Sequence, residues 1–304
     1  MEKIIESVPN ISEGRDRAIV EECVEQVRST PGCLLLNYSS DPDHNRSVIT
    51  YIGSPEGCEE AGVKLAKKAA ELIDLTKHRG EHPRMGCVDV MPFIPVRGAA
   101  MEDCVELSKR VGRRIAEEAG LPVFLYEKSA TAPHRENLAE VRRGQFEGLD
   151  EKLKSPDWIP DFGGPEKHPT GGAVCVGARA FLIAYNINLG TDNVEIAKKI
   201  SRAVRESGGG LKCVKAMGVM LKEKNTAQVS MNMTDFRVTP LYRVNELVKA
   251  EAARYGVPVI GTELIGLTPA EALFDAAEYY LQIEDFDWRK QVIESRLPEK
   301  EGNK

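Results

Sequence analysis

The chain has 304 residues, with 47 acidic and 41 basic side chains and a formal net charge of −6. With 42% hydrophobic and 29% charged residues it reads as a soluble globular protein, which excludes the disordered and fibrous classes, and the length admits about two domains. The acidic balance argues against a general nucleic-acid binder, which needs a concentrated basic stripe, yet leaves room for an anionic small substrate met by a local basic patch.

In chain order, Lys3 to Val8 reads as a strand, Arg15 to Arg28 as a helix, and Cys33 to Leu36 and Ser47 to Ile52 as two strands. From Glu59 to Asp74, Gly62, Leu65, Ala66, Ala69, Leu72 and Ile73 share one face of an amphipathic helix. A strand near Val88 to Phe93, a helix over Met101 to Ala119 and a strand at Val123 to Tyr126 follow. Pro156 to Gly177 interrupts the periodic pattern with glycine and proline, and is expected to be a functional loop or a linker without secondary structure of its own.

The second half repeats the first in pattern: strand Phe181–Leu189, helix Asp192–Ser207, strands Cys213–Leu221 and Ala227–Asp235, helix Leu241–Tyr255, strand Val257–Ile260. Each half is β-α-β-β-α-β. The predicted fold is therefore α/β (α+β), two ferredoxin-like split βαβ subdomains with mixed sheets, over residues 1–178 and 179–304. Seven scattered cysteines without a CxxC pair predict free thiols. The N-terminus has no signal-peptide pattern and no segment reads as a membrane span, so the expected address is cytoplasmic.

Reactive side chains are densest in Lys77-His78-Arg79-Gly80-Glu81-His82-Pro83-Arg84. His78-x-x-Glu81-His82 matches a zinc signature that requires both histidines on one helical face, but Gly80 and Pro83 oppose a helix there. The apolar run after Gly86 makes the cluster a turn entering a sheet, where a rigid scaffold can aim an imidazole for proton transfer near neutral pH. Asp41-Pro42-Asp43-His44-Asn45-Arg46 is either a metal-like cluster or an ordinary inter-strand turn, and Arg46 is suited to hold a carboxylate. Two strands carry amides on one face, Asn186 and Asn188 on the first, Gln228 with Ser230 on the second. These faces are either solvated or line a binding cleft. Gly208-Gly209-Gly210 lacks phosphate-loop spacing and reads as a helix stop.

Val8-Pro9-Asn10-Ile11-Ser12-Glu13-Gly14, Gly80 to Gly86, Pro92 to Gly98, Ala184 to Leu189 and Glu223 to Ser230 together resemble the formiminotransferase family, in order and over most of the chain. The resemblance implies two α/β subdomains with a substrate groove between them, and transfer of a formimino group from N-formimino-L-glutamate to tetrahydrofolate in histidine breakdown. It places the family's catalytic histidine on His82. The folate-contacting loop falls on Gly163, Gly164, Pro165, Glu166, Lys167, His168, Pro169, Thr170, Gly171 and Gly172. Asn10, Arg46, Arg84, Asn186, Asn188, Gln228 and Ser230 are the remaining substrate-contact candidates.

Tetrahydrofolate is then a co-substrate, and no metal, nucleic acid or membrane is expected to take part. The family's bifunctional members carry a cyclodeaminase after the transferase; none is expected in this chain, so a separate enzyme would deaminate the product. The family also implies a homodimer. Transfer of a formyl group from N-formylglutamate is the alternative within the class, and a zinc hydrolase or a non-catalytic folate-binding protein the alternatives outside it.

Overall fold

The computed structural model describes residues 3–80 and 83–296. The chain divides into two compact units, Met1–Arg179 and Ala180–Lys304.

The first unit runs β1 (Ile4–Ser7), β2 (Asn10–Ile11), α1 (Arg17–Arg28), β3 (Cys33–Asp41), β4 (Arg46–Gly53), α2 (Pro55–Leu72), β5 (Val88–Arg97), α3 (Met101–Ala119), β6 (Val123–Glu127), the short helices α4 (Leu138–Val141) and α5 (Leu149–Lys152), and β7 (Val174–Ala178). β1 and β2 both lie between β4 and β5, interrupted at Val8-Pro9. Pro9 has no N–H for the ladder, but its carbonyl accepts from Ile49 N at 3.0 Å, so the line of the sheet continues.

The sheet order is β3-β4-(β1, β2)-β5-β7-β6, with the last two pairings parallel and the others antiparallel. Its first four positions are a split βαβ layer, and α3 carries the chain from β5 to a parallel extension.

Local signals explain the helix starts. Asp16 caps α1 by accepting from Ala18 N and Ile19 N, and Ser54 caps α2 ahead of Pro55 at the first turn. Cys104, Leu107, Val111 and Ile115 recur along α3 at spacings of three and four and are fully buried. Each such side chain contributes about 1.5–3 kcal/mol of apolar burial. Cys23, Cys58, Cys87, Cys104 and Cys175 are buried free thiols that serve as small core side chains.

The second unit runs β8 (Ile183–Leu189), α6 (Val194–Val204), β9 (Val214–Leu221), β10 (Thr226–Met233), α7 (Leu241–Ala253), β11 (Val259–Ile265), α8 (Ala270–Leu281) and α9 (Trp288–Gln291). The strand order is β11-β8-β10-β9, and every pairing is antiparallel. This corrects the mixed sheet expected for the second half: the strands joined by α6, β8 and β9, are separated by β10, so no parallel neighbours remain. Ile183, Tyr185, Ile187 and Leu189 pack toward Ala197, Ile200, Val244 and Val248, with α6 and α7 on that face.

A second correction falls in Pro156 to Gly177, where β7 begins at Val174 and lies between β5 and β6. All five of its residues are buried. A strand covered on both faces shows no alternation, which is why glycine-rich sequence concealed it.

Candidate active site

Five stretches of the first unit meet around the segment that leads into β5. Ser12 donates its hydroxyl to Gly86 O at 2.7 Å and its N–H to Cys87 O at 2.8 Å. Two residues on, Gly14 lies against the β3–β4 turn, where a Cβ would stand 2.5 Å from Asp41 O and 2.6 Å from Arg46 N. That approach accounts for the glycine that closes the Val8–Gly14 motif.

The Asp41–Arg46 stretch is a hairpin turn. Asp41 Oδ1 accepts from Asp43 N and His44 N at 2.9 and 3.0 Å, its Oδ2 meets the His44 imidazole, and Asn45 closes the turn at φ 48°. Asn45 ties this turn to two neighbours: its Oδ1 accepts from Gly14 N at 2.9 Å and its Nδ2 donates to Arg79 O at 3.1 Å.

His78 is 6% exposed, and its neighbours define its protonation. Nε2 lies 2.9 Å from Asn45 O, a group that can only accept. Nδ1 lies 3.1 Å from Arg84 Nε, a group that can only donate. The imidazole is therefore neutral, with its proton on Nε2 and its lone pair on Nδ1. Burial lowers its pKa from the ordinary value; the Asn45 carbonyl acts against this and the Arg84 charge adds to it. α2 ends at Leu72, so His78 stands off the helix that the zinc signature requires, and neither ring nitrogen has a free lone pair for a metal.

Arg84 is 7% exposed. Nη1 donates to Gln145 Oε1 at 3.1 Å and Glu147 Oε2 at 2.9 Å, and Nη2 to Glu147 Oε1 at 2.6 Å. Its bonds to Glu147 hold that carboxyl below the ordinary range. With three partner side chains around it, Arg84 is a tie between His78 and the 145–147 turn. Below it, Asp89 accepts from Met85 N at 2.9 Å through Oδ1 and ion-pairs with Arg142 through Oδ2.

The stretch from Gly163 to Gly172 folds back on itself, His168 and Gly172 exchanging backbone bonds of 2.9 and 3.0 Å. Gly171 N donates to His168 Nδ1 at 2.8 Å. The end of this loop docks on the same segment: Cys87 N donates to Gly171 O at 2.8 Å and Ala173 N to Met85 O at 3.2 Å. Gly172 has φ +70°, and a Cβ there would lie 2.2 Å from Met85 O. Pro165, Glu166, Lys167 and Pro169 line an open cavity of ≈ 320 Å³ with Asp150, Leu153 and Lys154. Lys167 pairs with Asp150 at 2.6 Å, its ammonium 4.4 Å from the centre of the Phe146 ring.

Among the other candidates, His82 lies outside the described residues. Asn10 sits in β2 and donates to Val8 O at 3.2 Å. The four polar candidates of the second unit share the sheet face opposite α6 and α7, with Asn186 and Asn188 registered against Ser230 and Gln228. Gln228 Nε2 donates to Asn188 Oδ1 at 2.8 Å, and both Asn186 and Gln228 approach Glu263 Oε2 at 3.4 Å. Asn186 and Gln228 are 8% and 3% exposed, which excludes an ordinary solvated face for them.

Sequence reasoning missed Gln145, Glu147, Asp89, Arg142 and Glu263. Asp89 alone left a signal: a single carboxylate inside the apolar run Cys87 to Phe93 needs a buried partner.

Comparison with known proteins covers both units. The formiminotransferase domain's N-terminal subdomain matches residues 4–179, and the formiminotransferase domain matches residues 184–295. The chain is thus a transferase assembled from two α+β units. It belongs to the formiminotransferase family. It is 56% identical over 297 residues to the glutamate formimidoyltransferase of Streptococcus pyogenes serotype M1, covering 98% of this chain and 99% of that protein. The glutamate formimidoyltransferase of Thermoplasma acidophilum is 47% identical, over 99% of each chain. The formimidoyltransferase-cyclodeaminase of Mus musculus is 46% identical over 92% of this chain but only 53% of its own length, so this chain spans about half of that relative. No helix among the described residues is long and apolar enough to cross a membrane.

Proposed function

We propose that this protein transfers the formimino group of N-formimino-L-glutamate to tetrahydrofolate, releasing L-glutamate. The observation that carries the reading is full-length identity of 56% to a glutamate formimidoyltransferase. In support, two of the stretches that bear the family motifs in the first unit, Val8–Gly14 and Gly80–Gly86, are joined by the Ser12 bond to Gly86.

Tetrahydrofolate supplies the nucleophilic nitrogen and the formimino carbon is the electrophile. The protein's task is to bind two anionic substrates side by side and to carry a proton from the attacking nitrogen to the departing glutamate nitrogen. His82 is the proposed carrier, an imidazole being able to accept and return a proton near neutral pH. His78 does not compete for that role, because both of its nitrogens are engaged. Holding the two substrates in register can remove about 7–11 kcal/mol of barrier in favourable cases. The Gly163–Gly172 loop is the proposed folate-binding element, supported by its docking on Met85 and Cys87 and by the cavity it helps to line. The buried amides Asn186 and Gln228 can donate to and accept from substrate groups.

Steady-state assays with tetrahydrofolate and either N-formimino- or N-formyl-L-glutamate test the proposal. Turnover with the formimino donor is expected; turnover with the formyl donor alone would replace this reading by formyl transfer.

A further inference from the structure

Arg46 stands out in the first unit by what surrounds its guanidinium. It begins β4, next to Asn45, and is partly buried. Among the described residues its side chain makes no hydrogen bond or ion pair, and its Nε is shielded from solvent without a partner. Among the described residues, the charged groups near it are Asp41, Asp89 and Arg142.

Both neighbouring carboxylates are already occupied. Asp41 is held by two backbone N–H groups and the His44 ring, and Asp89 by Met85 N and Arg142. Asp89 is paired with Arg142 and the oxygens of Asp41 are taken up within its own turn, so the Arg46 guanidinium is left without an acceptor in a partly desolvated place. Burying a guanidinium with no acceptor is costly, and a planar fork of donors suits a carboxylate far better than a point charge does. Arg84, the other arginine candidate, makes four side-chain bonds, to His78, Gln145 and Glu147.

We propose that Arg46 is the carboxylate-binding residue of this site, its guanidinium receiving a substrate carboxylate in a bidentate pair while the Arg142–Asp89 pair beside it keeps the protein from neutralising it. The assignment rests on the formimino-transfer reading for the identity of its ligand. That reading offers two carboxylate sources, the glutamate of the donor and the glutamyl tail of tetrahydrofolate. A role limited to packing the hydrocarbon stem would leave ligand affinity unchanged when the head group alone is altered.

The test is isothermal titration calorimetry of the full chain with L-glutamate and, separately, with tetrahydrofolate, for the wild type, Arg46→Lys and Arg46→Met. Steady-state kinetics on both substrates accompany it. One ligand is expected to bind about ten- to a hundred-fold more weakly to the methionine variant, with a smaller loss for lysine, which keeps the charge but lacks the fork. KM for the corresponding substrate rises while kcat stays within a few-fold. The ligand affected identifies the carboxylate. Wild-type affinities for both ligands in the folded lysine variant would overturn the assignment, even if the methionine variant does not fold. A wild-type protein that binds neither ligand would instead overturn the functional reading.

Discussion

Replacing Arg84 by Met keeps much of the side chain's volume and removes its charge and donors, isolating what the tie between His78 and Glu147 contributes. The Glu147 carboxylate is 61% exposed, so its pair with Arg84 is screened and worth at most about 1 kcal/mol. The greater loss is at His78, whose buried Nδ1 would have no donor, a cost of about 1–3 kcal/mol. Arg84→Met is therefore expected to lower unfolding free energy by roughly 1–4 kcal/mol at pH 8, measured by urea denaturation.

The pH dependence of that loss is the sharper test. The folded-state pKa of His78 lies below its unfolded value of about 6.5. Its contribution to stability is complete above about pH 6.5 and is lost as the pH falls toward the folded pKa. Burial, the larger cause, remains in the variant, but the Arg84 charge and its opposing N–H are gone, so the folded pKa moves part of the way back. The destabilisation should shrink between about pH 7 and pH 5. A loss of the same size at both pH values would refute the tautomer assigned to His78 and the role given to Arg84.

Three further outcomes are expected. Arg135, 6% exposed, binds Asp161 Oδ2 at 2.8 Å and the carbonyls of Asp157 and Ile159, so Arg135→Met strands a buried carboxylate and should cost about 3–5 kcal/mol in chemical denaturation. Gly172→Ala places a Cβ 2.2 Å from Met85 O at a positive φ. It should cost about 1–3 kcal/mol and weaken tetrahydrofolate binding in a fluorescence titration, because the loop's docking on Met85 is disturbed. His82→Ala should lower kcat by about 10²–10⁴-fold with tetrahydrofolate affinity retained; unchanged turnover would remove His82 as the proton carrier.

The parts legible in the sequence were those with local causes. Spacing along Met101 to Ala119 gives α3 with its observed ends, and strict alternation from Thr226 onward separates Val229, Met231 and Met233 from Gln228 and Ser230. The turn chemistry of Asp41 to Arg46 was likewise readable, as a turn. Features that depend on distant partners were not. Arg84 looked available for a substrate carboxylate because its partners lie 61 and 63 positions away, at Gln145 and Glu147. The protonation of His78 is decided by a carbonyl 33 residues earlier. β7 left no alternation because both of its faces are covered, and the second sheet's antiparallel order follows from β10 lying between β8 and β9, which a list of elements does not specify.

Which group moves, and where it goes, defines the reaction. The most direct measurement follows N-formimino-L-glutamate carrying isotopic label in the formimino carbon and its terminal nitrogen, incubated with the protein and tetrahydrofolate, by mass spectrometry. Both labels are expected to appear together on the folate, the glutamate released to be unlabelled, and neither product to form without tetrahydrofolate. Labelled ammonia or formamide released without dependence on tetrahydrofolate would contradict formimino transfer and make the protein a hydrolase.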